Sequence, residues 1–490
     1  MSLGLVLLAG LVAPVQVGAH GANPRAGALA KSPTLKEYDS KLAGKPMSLN
    51  EAVGVALNLN PSLAQALAGL AFAHGRVDET KAGFMPTVSV GPGGQYVTRL
   101  ATEAYAVQAT LPLDISHLIA TATDQARFQE IGARIEVDRA RNEAVYRVER
   151  AFYGALRAQA LVDVAEEGLA NSNERRRDAE ARYRARAVAY IDVVRAQTDV
   201  ADALRIEIQA KAAVTASLAV LAAEIGLDPA SPMLITDTGA VALPPGVTLP
   251  GPLTIPTPDQ VPTPPPPQRV PTAPSPLRGS TTAGSSDLGT EFAPSLTEAL
   301  KARPEILEAD AVLAAAEKGV TLARRSDLPS LAFGVGYFDL RTQSGSRVHE
   351  PQAFIGVNIP LYDGGLGRAR VAEAKATVSS AVTTHRQAVD AVTLDVQQAS
   401  VLLAQAREAV VASLQGADQA RVAFNLAKVR YDTGVSARAG ISPLLELSDA
   451  QAALTQAEEN QVNALYDYNG ARAQLDRAMG RFAYGLRKAQ

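Results

Sequence analysis

Five histidines, His20, His74, His117, His349 and His385, are scattered along the 490-residue chain, and no two stand at a spacing that suits a shared metal ion. There is no cysteine, which excludes disulfides, thiolate metal sites, a cysteine nucleophile and a lipid anchor on cysteine. Neither a GxxxxGK[ST] phosphate loop nor a GxSxG nucleophile elbow occurs. The glycine runs at Gly91–Gly94 and Gly334–Tyr337 fall in strand-like stretches, where glycine marks a bend or a close approach. The sequence therefore holds no catalytic constellation and asks for no cofactor. What stands out instead is charge in two related stretches. RYRARAVAYIDVVRAQ runs from Arg182 to Gln197, and RYDTGVSARAGISPLLELSDAQ from Arg430 to Gln451. Both begin Arg-Tyr and end Ala-Gln, but the second is longer and contains Gly434, Gly440 and Pro443. Side chains of these types attract and pair ions rather than make bonds.

The rest of the chain must position those stretches. A net charge of −3 gives no reason to expect nucleic acid as a partner. Hydrophobic residues make up 47% but aromatics only 5%, so the apolar fraction is mostly alanine, valine and leucine, which suits closely approaching helices. Leu3–Val15 is a short apolar run and Val17-Gly18-Ala19 has the form of a cleavage site, so residues 1–19 read as a signal peptide, although a basic leading region is missing. A short hydrophobic helix in the mature protein is the alternative. No later run of about 20 apolar residues is found, so no transmembrane helix is expected. An exported chain of this kind would enter a membrane only as a β-barrel.

The sequence is internally duplicated. Ser48-Leu49-Asn50-Glu51-Ala52 matches Ser295-Leu296-Thr297-Glu298-Ala299. Pro61 and Pro304, like Pro86 and Pro329, are 243 residues apart. ATLPLD at Ala109–Asp114 matches VNIPLY at Val357–Tyr362 at an offset of 248, and Tyr183 matches Tyr431 at the same offset. Ala196-Gln197 matches Ala450-Gln451 at 254. An offset that holds from Pro112 to Tyr183 indicates a rigid element that admits no insertion, with loops before and after it. The expected organisation is an N-terminal extension at 20–47, a first repeat at 48–243, a linker at 244–294, a second repeat at 295–482 and a tail at 483–490. The linker is dominated by proline, threonine, serine and glycine, a composition that resists helix and core alike.

Proline is absent between Pro112 and Pro229, between Pro360 and Pro443, and after Pro443. Val389, Val392, Val396, Ala399, Leu403, Ala406, Val410 and Ser413 follow a 3-4-3-4 spacing, and Ala144, Val148, Ala151, Ala155, Ala158, Val162 and Ala165 reproduce it one repeat earlier. A sustained seven-residue repeat of small residues predicts coiled-coil packing at short range. A helix from about His117 to about Tyr183 would extend on the order of 100 Å. A second should return over about 189–226, completing a hairpin at about 117–226, and the pattern recurs at about 366–480. The charged stretches then lie at the far tips of two long helical hairpins. A soluble helical bundle would satisfy the same periodicity.

Ahead of each hairpin the pattern changes to alternation. PTVSVGPGGQYV (Pro86–Val97), AYAVQATLPL (Ala104–Leu113), LAFGVGYFDL (Leu331–Leu340) and AFIGVNIPL (Ala353–Leu361) are each about the length a tilted membrane strand needs. They place strands at about 84–113 and about 329–361. Tyr96, Tyr105, Tyr337, Phe338, Phe354 and Tyr362 are candidate interfacial aromatics. Two soluble hairpins are the alternative. If the strands are in a membrane, four of them neither close a channel nor protect their edges from lipid, so several chains must share one barrel.

The ordered, duplicated set SLNEAV with NPSL, SLTEAL with RPEI, AGFMPTVSV, SDLPSLAFGVGY, IPLYDGG and the two tip stretches resembles the TolC-like outer-membrane efflux channels. The resemblance covers nearly all of Ser48–Phe482 apart from the linker. It implies an α+β membrane protein in which long antiparallel helical hairpins form an α-barrel. Four transmembrane β-strands per protomer join a twelve-stranded barrel shared by a homotrimer. It implies a bacterial outer-membrane location reaching into the periplasm, contact with outer-membrane lipid, and partners in the form of a periplasmic adaptor and an inner-membrane transporter of the RND or ABC type. Cargo would pass unchanged through a passive exit duct. The competing class is a periplasmic structural or adaptor coiled-coil protein.

Carried over by position, Glu446 and Asp449 match the acids that ring the family's periplasmic entrance, where three-fold repetition would favour cations. Asp192 and Arg195 occupy the corresponding places in the first repeat. Pairs between Asp192 or Glu446 and Arg182, Arg184, Arg186 or Arg438 would hold the tips together. Each exposed pair is worth only about 0–1 kcal/mol, but symmetry repeats it. The family's turn glycine is present as Gly434 and replaced by Arg186 in the first tip, which makes the two tips unequal surfaces for an adaptor.

Overall fold

The computed structural model describes residues 46–92, 101–236, 241–245, 285–342, 346–433 and 443–481. The signal-peptide region, most of the N-terminal extension, the middle of the linker, the tail, Tyr96, and Gly434, Arg438 and Gly440 of the second tip lie outside the described residues. In chain order the elements are β1 (Pro46–Met47), α1 (Leu49–Leu59), α2 (Pro61–Ala82), β2 (Thr87–Pro92), β3 (Ala101–Leu113), α3 (Leu118–Arg184), α4 (Tyr190–Ile225) and β4 (Leu234–Ile235). The second repeat follows with α5 (Ser285–Ala302), α6 (Pro304–Arg325), β5 (Ser330–Thr342), β6 (Arg347–Asn358), α7 (Leu366–Thr433) and α8 (Pro443–Ala478).

The outgoing helices α3 and α7 have 67 and 68 residues, and the returning helices α4 and α8 have 36 each. Starting each outgoing helix is an aspartate. Asp114 accepts from the N–H groups of Ile119 (3.1 Å) and Ala120 (2.9 Å). Asp363 accepts from Gly365 (2.8 Å) and Gly367, and these backbone donors, Gly367 foremost, hold its carboxyl below the usual range. The seam predicted from spacing is the packed one. Ala144, Val148, Ala155, Ala158 and Ala165 are buried on α3, and Val392, Val396, Ala399, Ala406 and Val410 on α7.

The duplication extends to backbone contacts. Gly226 closes α4 with φ +94°, and a Cβ there would lie 2.7 Å from the Leu59 carbonyl oxygen. Gly480, just past α8, has φ +70° and meets Ala302 in the same way at 3.1 Å. Asn60 and Arg303 precede the prolines that open α2 and α6, and each donates from its side chain to the end of the returning helix. Asn60 bonds the Glu224 carbonyl at 2.8 Å, and Arg303 the Arg477 carbonyl at 2.9 Å. Glycine is required because both αL geometry and close approach apply at once.

Four strands form one antiparallel sheet in the order β2-β3-β5-β6. Cross-strand partners share a face, so the register sorts the side chains. Val90 lies opposite Val107, Val107 opposite Tyr337, Ala109 opposite Val335, and Leu111 and Ile355 both opposite Phe333. Val88, Val90, Val107, Phe333, Val335, Tyr337, Ile355 and Val357 are exposed, so this face is an uncovered apolar surface spanning all four strands. The other face pairs Ser89 with Gln108, Gln108 with Gly336, and Gly336 with Gln352. Two candidate interfacial aromatics sit on this second face. Phe354 lies over Gly334, its direct partner, where any Cβ would collide with the ring, and Phe338 is buried against Gly336. Parity decides this, since Phe338 and Phe354 are one residue out of step with Tyr337 and Ile355.

One expectation changes. Helix α5 starts at Ser285, inside the stretch read as linker, with Pro294 within it. The end of that stretch has a single proline and opens with Ser285-Ser286-Asp287, residues suited to a helix start. At its beginning Pro244 is fully buried, and Ala242 is bonded through both its N–H and its C=O to the Asn469 carboxamide on α8 (2.9 and 3.1 Å). Helix α4 is also long and apolar enough, by length and composition, to cross a membrane, with only 11% of its apolar window buried. Leu204, Ile208 and Val220 account for part of that uncovered surface.

Candidate functional site

The end of α3 is closed by a Schellman arrangement, in which Arg186 donates to the Tyr183 carbonyl and Ala187 to the Arg182 carbonyl, both at 2.9 Å. Arg186 takes the left-handed position with φ +59°, one of two non-glycine residues with positive φ among those described. The first tip thus makes the turn that glycine favours, using an arginine, whose Cβ makes that conformation less favourable. Tyr183 and Tyr190 face each other across this turn with ring centroids 5.5 Å apart.

Arg182 does not reach Asp192 or Glu446. It donates to the Tyr431 carbonyl at 2.8 Å, pairs with Asp432 at 3.3 Å, and its guanidinium lies 4.1 Å over the Tyr431 ring. The reason is register. Helices α3 and α7 have 67 and 68 residues and end at the same level, which brings Arg182 to Tyr431 and Asp432 although α3 packs mainly on α4 and α8. Arg184 instead pairs with Glu180 at 3.8 Å, and Arg195 with Asp192 at 4.0 Å. Glu446 pairs with Arg430, across the second hairpin. Asp192 is buried, whereas Asp449 is exposed.

Sequence reasoning missed several contributors. Tyr431 is buried, its hydroxyl has no hydrogen-bond partner among the described residues, and burial raises its pKa while Arg182 opposes the shift. Higher on the hairpins, Arg175 is buried between α3 and α8. It donates to Ser172 Oγ at 2.9 Å and to Gln451 Oε1 at 3.4 Å, and burial lowers its pKa. Ser448 Oγ donates to Asp199 at 2.6 Å, tying α8 to α4. The shared Arg-Tyr start of the two tips was the signal for Tyr431; Arg175 had none beyond its place in a run of three arginines.

Two hairpins latched at their tips, a sheet with one uncovered apolar face, and duplication throughout describe a membrane channel protomer. Residues 52–227 and 295–481 match the outer membrane efflux protein family, and the chain belongs to that family. It is 26% identical to protein CyaE of Bordetella pertussis over 81% of this chain and 77% of that protein. It is 31% identical to the pyoverdine export outer membrane protein OpmQ of Pseudomonas putida over 38% of each. A crystal structure of CusC, studied for the changes that accompany folding and transmembrane channel formation, superposes with a TM-score of 0.67 at 17% identity. The superposition covers 89% of this chain and 92% of that one. The protein is an outer-membrane efflux channel that extends into the periplasm, and its family and fold are those of transport proteins. The competing reading as a periplasmic structural or adaptor coiled-coil protein is set aside.

Proposed function

We propose that three copies assemble head to tail into one twelve-stranded barrel continued by an α-barrel. In this reading the duct is passive, and a periplasmic adaptor with an inner-membrane transporter of the RND or ABC type opens it. The observation that carries this is that the protomer has the same two open edges at every level. In the sheet they are β2 and β6. In the hairpins α3 packs on α4 and α8, and α8 on α7, which leaves α4 and α7 outermost. Both carry exposed apolar residues, Leu204 and Ile208 on α4 and Val401, Val422 and Val429 on α7. Unlike edges that match each other close into a ring, and lipid does not tolerate them open. Residues 48–243 and 295–482 are then the two channel repeats.

At the entrance, Glu446 and Asp449 form the acidic ring. Arg182, Arg184, Arg186, Asp192 and Arg195, with Gly434 and Arg438 of the second tip, make the gating and adaptor-docking surface. Support comes from the latch of Arg182 onto Tyr431 and Asp432, which must yield for the tips to part, and from the Arg430–Glu446 pair that holds Glu446 within the second tip. Purified protein should run as a heat-modifiable trimer from the membrane fraction. In planar bilayers Glu446→Gln with Asp449→Asn should lower cation selectivity, and unchanged conductance and selectivity would remove the ring assignment.

A further inference from the structure

Along the hairpins, α3, α7 and α8 enclose a groove of about 670 Å³ that takes no part in the tips. Tyr146, Arg150, Tyr153 and Arg157 line it from α3, at the spacing of a single helix face. Asn463 and Tyr466 line it from α8. Arg157 is held by Asp467 at 3.3 Å. Arg150 has no ion pair among the described residues and is exposed. Gly154 and Gly470 also line the groove, and a Cβ at either would meet nothing within 4 Å.

The duplication supplies an internal control. At the offset of 248, Tyr146, Arg150, Tyr153 and Gly154 correspond to Leu394, Gln398, Val401 and Leu402. At the offset of 254, Tyr466 and Gly470 correspond to Ala212 and Ala216. The same helix packing therefore demands neither tyrosine nor arginine nor glycine at these places. In the trimeric duct proposed above, on which this part of the comparison rests, the equivalent groove lies between α7 of one protomer and α4 of the next. Those two helices give it an apolar lining.

We propose that the groove within each protomer binds planar aromatic anions. Its volume is that of a small-molecule site. The half-buried rings of Tyr146 and Tyr466 offer stacking surface, Tyr153 being buried and Tyr146 having the Arg477 guanidinium over its ring at 5.3 Å, and the guanidinium of Arg150 meets one negative charge. The Asn463 carboxamide serves polar substituents. A compact inorganic anion would leave the rings unused, and a neutral aromatic would leave Arg150 unpaired. In a conduit such a site must also release what it holds.

The test is titration of the full-length protein in detergent with naphthalene sulfonate, followed by probe anisotropy, with naphthalene methanol and sulfate as controls. Saturable binding of the sulfonate is expected, far stronger than that of either control. Arg150→Gln should weaken it about tenfold or more, which is at least 1.4 kcal/mol. Gly470→Leu fills the groove while improving helix propensity, so loss of binding in a variant that melts no lower than wild type reports the site and not the fold. Binding that is absent, or equal in wild type and Gly470→Leu, overturns the proposal. Bilayer recordings separate it from the channel reading, since a conducting trimer that fails to bind the probe removes only the groove.

Discussion

Helices α3 and α7 bury the same seam, with Ala144, Val148 and Ala158 at the places where α7 buries Val392, Val396 and Ala406. Beside that seam they part. Where α3 has Phe152 and Glu149, both fully buried, α7 has Ser400 and an exposed Gln397. The neighbours explain it. Phe152 packs in a core with Leu221 and Ile225 of α4 and Val53 and Ala56 of α1, whereas the core around Val396 is smaller and built on α5, α6 and α8. Close approach of helices constrains the seam in both copies, and positions off the seam follow whatever each copy touches.

The strongest way to break this equivalence is at the backbone contact both repeats share. Gly226→Val combines an L side chain at φ +94° with collision against the Leu59 carbonyl, and should abolish recovery of folded trimer. Gly480→Ala, at the looser copy of the contact, should leave a trimer with a lowered melting temperature. Equal effects of the milder and the harsher substitution would show that the Gly480 contact is no looser than that at Gly226. Next is Phe152→Ala, expected to cost about 3–5 kcal/mol, against Ser400→Ala within about 0.5 kcal/mol, both by denaturant unfolding.

Glu149→Gln gives the first repeat the amide that the second already has. Burial, with a smaller contribution from Asp476 and against Arg472, pushes the Glu149 carboxyl up to about 8 from 4.5. Between those values the folded chain keeps a proton that the unfolded chain has released, so stability falls as pH rises. The variant should lose that slope and exceed wild type by roughly 4 kcal/mol at pH 8, read from melting curves across the window. Identical pH slopes would show the carboxyl to be better solvated than its burial implies. The smallest effect is expected from Arg186→Gly, a gain of up to about 1 kcal/mol from relief of the left-handed arginine. Adaptor crosslinking and efflux measured alongside would report whether that side chain selects the partner.

Much of this architecture was legible in the linear pattern. The constant offset marked α3 and α7 as uninterrupted, proline spacing bounded them, and alternation in Ala104–Leu113 and Ala353–Leu361 located strands. The site was less legible. Arg182 was visible as a tip residue, yet its partners Tyr431 and Asp432 stand 249 and 250 residues away, and no local spacing points across that distance. Glu149 looks like any solvated helix residue until its neighbours are known.

By itself, the sequence determined the period of each element, its length and its duplication, because these follow from backbone geometry repeated along one segment. Only the tertiary structure decided which charges meet at the tips, that Phe354 lies on the sheet face opposite Tyr337, and that α4 and α7 are the outer helices of the protomer. Those depend on the rotation and register of one element against another, which a shift of a single residue would reverse while leaving every local pattern intact.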